Sequence, residues 1–285
     1  MRKVDEAVIL VTGATDGLGK RVARDLAERG ATVLVHGRSR ERAEAAVREI
    51  GEETGNDGLS YYLADLSSLR EVRRLAEEVA SDHERLDVLI NNAGIGSGPS
   101  DGASRRESKD GYELTFAVNY LSHYLLTNLL LPLLRGSAPA RIVNVASAGQ
   151  APLDFGDVML ERGYDGWRAY SQSKLAQITF TFSLAERLEG SGVTANALHP
   201  ASLMDTKMVL ESFGYTMSTV EEGAAATERL AISPDLEGVS GRYFDGLREA
   251  RAKDQAYDRQ ARERLWTLSE ELCDFAPPVN GGSAR

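Results

Sequence analysis

The chain has 285 residues, a hydrophobic fraction of 42% and a formal net charge of −10, from 33 Lys and Arg against 43 Asp and Glu. That is enough apolar material for a large core, and an acidic surface of this size argues against nucleic acid and an anionic membrane as partners. The single Cys273 excludes an internal disulfide framework, the scattered His36, His83, His123 and His199 show no metal-ligand spacing, and no apolar run reaches the roughly 18–20 residues of a membrane span.

The N-terminus enters an apolar strand, Ala7–Val11, at once. It shows no signal peptide or anchor, so a cytoplasmic location is expected. Next comes Thr12-Gly13-Ala14-Thr15-Asp16-Gly17-Leu18-Gly19, then a helix over Gly17–Arg29 with Leu18, Val22 and Leu26 on one face. The pattern continues with strand Thr32–His36, helix Arg40–Thr54, strand Ser60–Leu63, helix Leu69–Ser81 and strand Leu86–Ile90. A long helix is expected over Tyr112–Leu134, then strand Arg141–Val145, a helix carrying Tyr170 to about Leu188, and strand Val193–Leu198. Such β-α-β repetition predicts one α/β domain over 1–285, a doubly wound, mostly parallel sheet with helices on both faces. Three segments break the rhythm, Gly96–Asp110, Gly149–Arg168 and Ala201–Val220. Each follows a strand edge that faces a ligand crevice in such a sheet, and about 201–220 reads as a substrate loop. The region from about 245 to 285, with Leu265, Leu268 and Leu272 at helical spacing, reads as a C-terminal cap.

Gly13, Gly17 and Gly19, after a first strand and opening a helix, suit close approach of backbone to a pyrophosphate. Asp16 inside that turn is expected to point to solvent or to cap the helix. The second strand ends His36-Gly37-Arg38-Ser39-Arg40. A fold selective for NAD places an acid there, whereas an arginine accommodates a 2′-phosphate, so Arg38 favours NADP(H), with Arg40 as a second cation or a solvated residue. Asp65, in Ala64-Asp65-Leu66-Ser67, lies where the adenine is expected and could equally cap a helix. Asn91-Asn92-Ala93-Gly94 suits a backbone lining the cofactor ribose, or one tying strands together. Tyr170 and Lys174, four apart on a helix, face the same side roughly 5–6 Å apart at Cβ. A free phenol has a pKa of about 10, and a neighbouring ammonium with an oxidised nicotinamide favours phenolate. Ser147, ending the fifth strand, can hydrogen-bond a substrate carbonyl while Tyr170 donates its proton.

These residues resemble the short-chain dehydrogenase/reductases, in their single-domain branch. Thr12–Gly19 matches that family's cofactor motif, Asn91–Gly94 its NNAG motif, and Ser147, Tyr170 and Lys174 its catalytic residues. The resemblance implies a Rossmann-like fold, a fourth catalytic residue in Asn119 supporting a proton-relay water, and cofactor contacts from Pro200 and Thr206 in His199–Thr206. Within the family, Tyr120–Asn128, the long gap between Ser147 and Tyr170, and Gly241-Arg242-Tyr243-Phe244 before a Trp266-bearing helix resemble the retinol dehydrogenase and WW-domain oxidoreductase group. Ala201 stands where the family usually has glycine, Ala146 where serine is common, and the loop with Ser97, Ser100, Asp101, Ser104, Arg105 and Arg106 is unusually polar.

The expected function is therefore NADP(H)-dependent interconversion of a ketone or aldehyde and its alcohol, chiefly reduction of a hydrophobic or polycyclic small molecule. Family members commonly pair through the helix carrying Tyr170, so a homodimer or homotetramer is expected, with a monomer as the alternative if the C-terminal cap on the core prevents pairing. A rival is a cofactor-binding sensor or scaffold without turnover. A sugar-nucleotide epimerase or dehydratase also uses a tyrosine–lysine pair, but the glycine spacing and the lack of a large C-terminal substrate domain disfavour it.

Overall fold

The computed structural model describes residues 2–97 and 104–275, apart from the side chains of Met208, Ser212 and Phe213. Eight strands form one sheet: β1 (Val8–Val11), β2 (Thr32–Gly37), β3 (Leu59–Leu63), β4 (Val88–Asn91), β5 (Ala140–Val145), β6 (Val193–His199), β7 (Tyr243–Asp245) and β8 (Arg248–Ala250). Their order is β3-β2-β1-β4-β5-β6-β7-β8, parallel throughout except for the antiparallel β8. The chain winds outward in both directions from the β1–β4 boundary. In such a sheet the crevice at the carboxyl ends of the central strands is where ligands bind.

Helices cover both faces. They are α1 (Gly17–Glu28), α2 (Arg40–Thr54), α3 (Leu69–Asp82), α4 (Ser122–Gly136), α5 (Gly166–Arg187), α6 (Lys207–Phe213), α7 (Val220–Ile232) and α8 (Arg259–Cys273). Side-chain alternation along the strands divides the core in two. Ile9, Val11, Val88 and Ile90 face Val22, Leu26 and Leu230, whereas Leu10, Leu89 and Ile142 face Leu75, Tyr124 and Ile178. Hydroxyl and carboxylate caps start the helices where the sequence supplies them: Asp16 for α1, Ser39 for α2, Ser68 for α3, and a Thr219–Glu222 capping box for α7.

Four expectations change. The helix expected over Tyr112–Leu134 starts at Leu114, with Glu113 accepting from the Thr115 and Phe116 amides, and runs through a π-helical stretch, Ala117–Leu121, before α4. A 3.6-residue period cannot show that wider turn, which swings Asn119 toward Ile95. Helix α7 and strands β7 and β8 were not anticipated: α7 is rich in alanine, and each strand is three residues long. Helix α6 lies inside the expected substrate loop. The expected cap from about 245 opens with sheet, β8 pairing with β7, and the capping element proper is α8.

α8 lies along α5. Trp266 stacks on Phe180 at 5.8 Å, Arg187 sits 3.9 Å over the Trp266 ring, and Leu265 is buried. With the sheet on one side and α8 on the other, α5 is buried along most of its length, which fixes the helix carrying Tyr170 and Lys174. Among the described residues no helix is long and apolar enough to cross a membrane.

Candidate active site

The turn between β1 and α1 is held shut around its glycines. A Cβ on Gly19 would lie 2.3 Å from the Gly13 carbonyl oxygen and 2.4 Å from Asn92 Nδ2, and one on Gly13 would lie 2.8 Å from Ala93 Cα. Gly13 also has φ +65°, a conformation that suits glycine. Asn92 Nδ2 donates to the Thr12 carbonyl at 2.8 Å, and the Gly13 amide donates to His36 Nδ1 at 3.1 Å. His36 is buried, and desolvation pushes its pKa down to about 4, so it remains the neutral acceptor that this amide needs. Asp16 resolves as the cap: its carboxylate accepts from the Gly17 amide at 2.8 Å and pairs with Arg42 at 2.9 Å.

Around this turn lies a cavity of about 780 Å³ at the carboxyl ends of the strands. Every residue expected to bind cofactor lines it: the turn from Gly13 to Gly19, Arg38, Asp65, Leu66, Asn92 to Gly94, Pro200 and Thr206, together with Tyr170 and Lys174. At the end lined by Thr15 and Arg38, a Cβ on Gly37 would lie 2.4 Å from the Thr15 methyl carbon. Packing, then, keeps any side chain, an acid included, from that position. Arg38 is exposed and has no hydrogen-bond or ion-pair partner among the described residues. Arg40, the expected second cation, is turned to Tyr61 Oη at 2.8 Å and Glu44 at 3.5 Å, outside the cavity lining. Arg42, in the first turn of α2, lines the cavity instead. Asp65 caps no helix, since Ser68 does so. Burial raises its pKa, but the Ser67 amide and hydroxyl and the Lys109 ammonium outweigh burial and hold it below the usual range.

At the other end, Ser147, Tyr170 and Lys174 meet. The Ser147 hydroxyl accepts from the Gly149 amide at 3.0 Å, and Tyr243 Oη, of the Gly241–Phe244 motif, donates to the Ser147 carbonyl at 3.1 Å, a support of the site that the motif did not reveal. Lys174 Nζ lies 5.7 Å from the Tyr170 ring centroid and donates to the Val145 carbonyl at 2.9 Å and Gln177 Oε1 at 3.0 Å. Burial raises the phenol, opposed by the Ser147 hydroxyl, and burial pushes Lys174 down to about 7. Asn119 does not line the cavity: its side chain accepts from the Ile95 amide at 2.8 Å and donates to the Ile95 carbonyl and to Ser173 Oγ.

The remaining walls come from the three irregular segments. Trp167, 51% exposed, stacks on Tyr170 at 5.8 Å, and a Cβ on Gly149 would come within 2.9 Å of its ring. Leu203, Met204 and Val209 form the opposite wall. Of the polar loop, Ser97 and Arg106 line the cavity, while Arg105 is spent on the Met159 carbonyl and Glu107. Ser100 and Asp101 lie outside the described residues. A second cavity, of about 810 Å³, opens at the other end of the strands. Arg262 pairs there with Glu186 and Arg242 with Glu249, Gly241 and Arg242 of the Gly241–Phe244 motif lie in its lining, and none of the residues expected to bind cofactor or to catalyse does.

The family model described as short chain dehydrogenase matches residues 7–213. Retinol dehydrogenase 13 of Mus musculus is 40% identical, covering 94% of this chain and 84% of its own length. A protein from Mycobacterium paratuberculosis of known structure is 31% identical with a TM-score of 0.77, covering 96% of both chains. A short chain dehydrogenase from Escherichia coli CFT073, solved in complex with NADPH, is 27% identical with a TM-score of 0.70, covering 86% of this chain and 99% of that one.

Proposed function

The chain belongs to the short-chain dehydrogenase/reductase family, in its retinol dehydrogenase group, and from that premise we propose that it is an NADP(H)-dependent reductase of a ketone or aldehyde borne on a hydrophobic or polycyclic small molecule. The observation that carries the reading is the convergence on one cavity of a glycine cradle, an unpaired Arg38 and the Ser147–Tyr170–Lys174 group. The cradle fits a dinucleotide, because the space a Cβ would fill at Gly13 and Gly19 is what lets backbone approach a diphosphate. Arg38, with no acid at Gly37, supports NADP(H), as does the NADPH complex of the Escherichia coli relative.

When bound, the nicotinamide supplies or accepts the hydride. Ser147 orients the substrate carbonyl by a hydrogen bond, and Tyr170 delivers the proton to its oxygen as charge builds there. The raised Tyr170 pKa suits a general acid, keeping the phenol protonated until it is needed. Lys174, one turn on, supports the phenolate left behind and has an N–H for the nicotinamide ribose. Asn119 braces the Ile95 backbone beside the site. Trp167, Leu203, Met204 and Val209 favour an apolar substrate, and Arg106 and Ser97 provide a polar edge for its oxygens.

We place the enzyme in the cytoplasm. Two or four copies pairing at α5 would do so through the outer side of α8, which already covers that helix.

The test is NADPH and NADH oxidation at 340 nm over ketones, aldehydes, steroids and aromatic polyketides. NADPH-selective turnover of an apolar carbonyl supports the assignment. Tight NADPH binding without turnover on any class would instead favour a cofactor sensor.

A further inference from the structure

An ammonium has only donors to offer, and the fold meets Lys174 with neutral oxygens alone. Its Nζ donates to the Val145 carbonyl at 2.9 Å and to Gln177 Oε1 at 3.0 Å, leaving one N–H for the cavity. The titratable groups facing it are Tyr170 on its own helix, His123 from α4 and His199 from β6, and burial depresses both histidines. No carboxylate is among the partners of its Nζ. Lys174, Gln177 and His123 are all at most 5% exposed, so these contacts are shielded from bulk solvent.

Since Gln177 must turn its oxygen to the ammonium, its Nε2 faces His123 Nδ1, at 3.0 Å. An amide N–H can only donate, so Nδ1 must carry a lone pair and the proton of neutral His123 sits on Nε2. His123 Nε2 is buried without a partner. The Asn119 carbonyl, one turn back, competes for a ring proton, but burial and then the Lys174 charge keep the ring from protonating, with a pKa pushed down to about 3. A charged His123 would reverse the Gln177 amide and present its NH₂ to Lys174.

We propose that Gln177, its amide held in one orientation by neutral His123, is a positioning residue that keeps the Lys174 ammonium charged and aimed into the active-site cavity. The inference rests on the reading of Tyr170 and Lys174 as the acid–base pair, and it extends that pair inward to two residues that touch neither cofactor nor substrate. Burial brings Lys174 to about 7, so at neutral pH its charge is balanced and a single acceptor decides it. A hydrogen bond to a charged group is worth about one to two pH units.

The test is an NMR titration of the lysine side-chain nitrogens in the full-length protein, with Lys174 assigned through Lys174→Met. In Gln177→Leu the Lys174 midpoint should fall by about one pH unit or more. In Gln177→Glu, which keeps the shape and adds charge, it should rise. Histidine ¹⁵N shifts should show His123 protonated at Nε2. The pH profile of kcat/KM should move with the lysine midpoint while KM for the carbonyl substrate changes little. A Lys174 midpoint unmoved in both variants overturns the proposal, and a proton on Nδ1 overturns the His123 half of it. Titrations behaving as expected in a chain without carbonyl turnover would sink the reductase reading and leave this one standing.

Discussion

The cofactor half and the substrate half of the cavity are built differently. The turn between β1 and α1 is over-determined: Gly13, Gly19 and Gly37 have no room for a Cβ, and His36, Asn92 and Asp16 each hold a backbone group of that turn. The substrate side is walled by Trp167 and by residues around α6, where Leu210, Tyr215 and Met217 are 50–71% exposed. The first half is rigid, as a site for a ligand common to many reactions would be. The other is open to change, the kind of surface on which substrate specificity is set.

Breaking the closed half should have the largest effects. Gly19→Ala drives a methyl to within 2.3 Å of the Gly13 carbonyl oxygen, so NADPH binding measured by fluorescence should disappear and the melting temperature should drop, overpacking costing about 1–3 kcal/mol. Binding at wild-type affinity would show that the turn is looser than described. Arg38→Asp should weaken NADPH by about 10–100-fold, the worth of a charge-assisted hydrogen bond, and leave NADH within a few-fold. Equal loss for both cofactors would remove Arg38 from 2′-phosphate recognition.

On the open side, Gly149→Ala should push Trp167 off Tyr170, and kcat/KM should change by several-fold, differently for bulky and small carbonyls. NADPH affinity should stay unchanged, and uniform loss across substrates would count against Trp167 as a specificity wall. The smallest effect is on pH dependence. Below about pH 6.5 an unfolded chain binds a proton that folded His36, at about 4, refuses. Stability should therefore rise with pH between about 4 and 6.5, by at most about 1.4 kcal/mol per unit for this group. Thermal melts at pH 5 and 7 should show the slope, and His36→Asn should make it shallower, with His123 and His199, also depressed by burial, supplying what remains.

The same contrast governs what the sequence revealed. Gly13, Gly19, Asn92, Tyr170 and Lys174 were legible from short local spacings in the sequence, and the cavity gathers all of them. Arg42 and Trp167 were not singled out, and Tyr243 stood only in a motif without a role at the site, since their roles arise from contacts across the fold, with Asp16, Gly149 and the Ser147 carbonyl. The π-helical stretch at Asn119 escaped for a related reason: periodicity reports the face of a helix and not the width of its turn. The direction of the Tyr170 shift could not be read from spacing either, because burial, and not the neighbouring ammonium, dominates it.

The most direct test is a single-turnover reduction with prebound NADPH, comparing wild type with Tyr170→Phe on the best carbonyl of the panel. Loss of a positioned general acid should slow the step by about 10²–10⁴-fold, with NADPH affinity unchanged within about two-fold. A Tyr170→Phe variant that reduces its substrate at the wild-type rate would contradict the account.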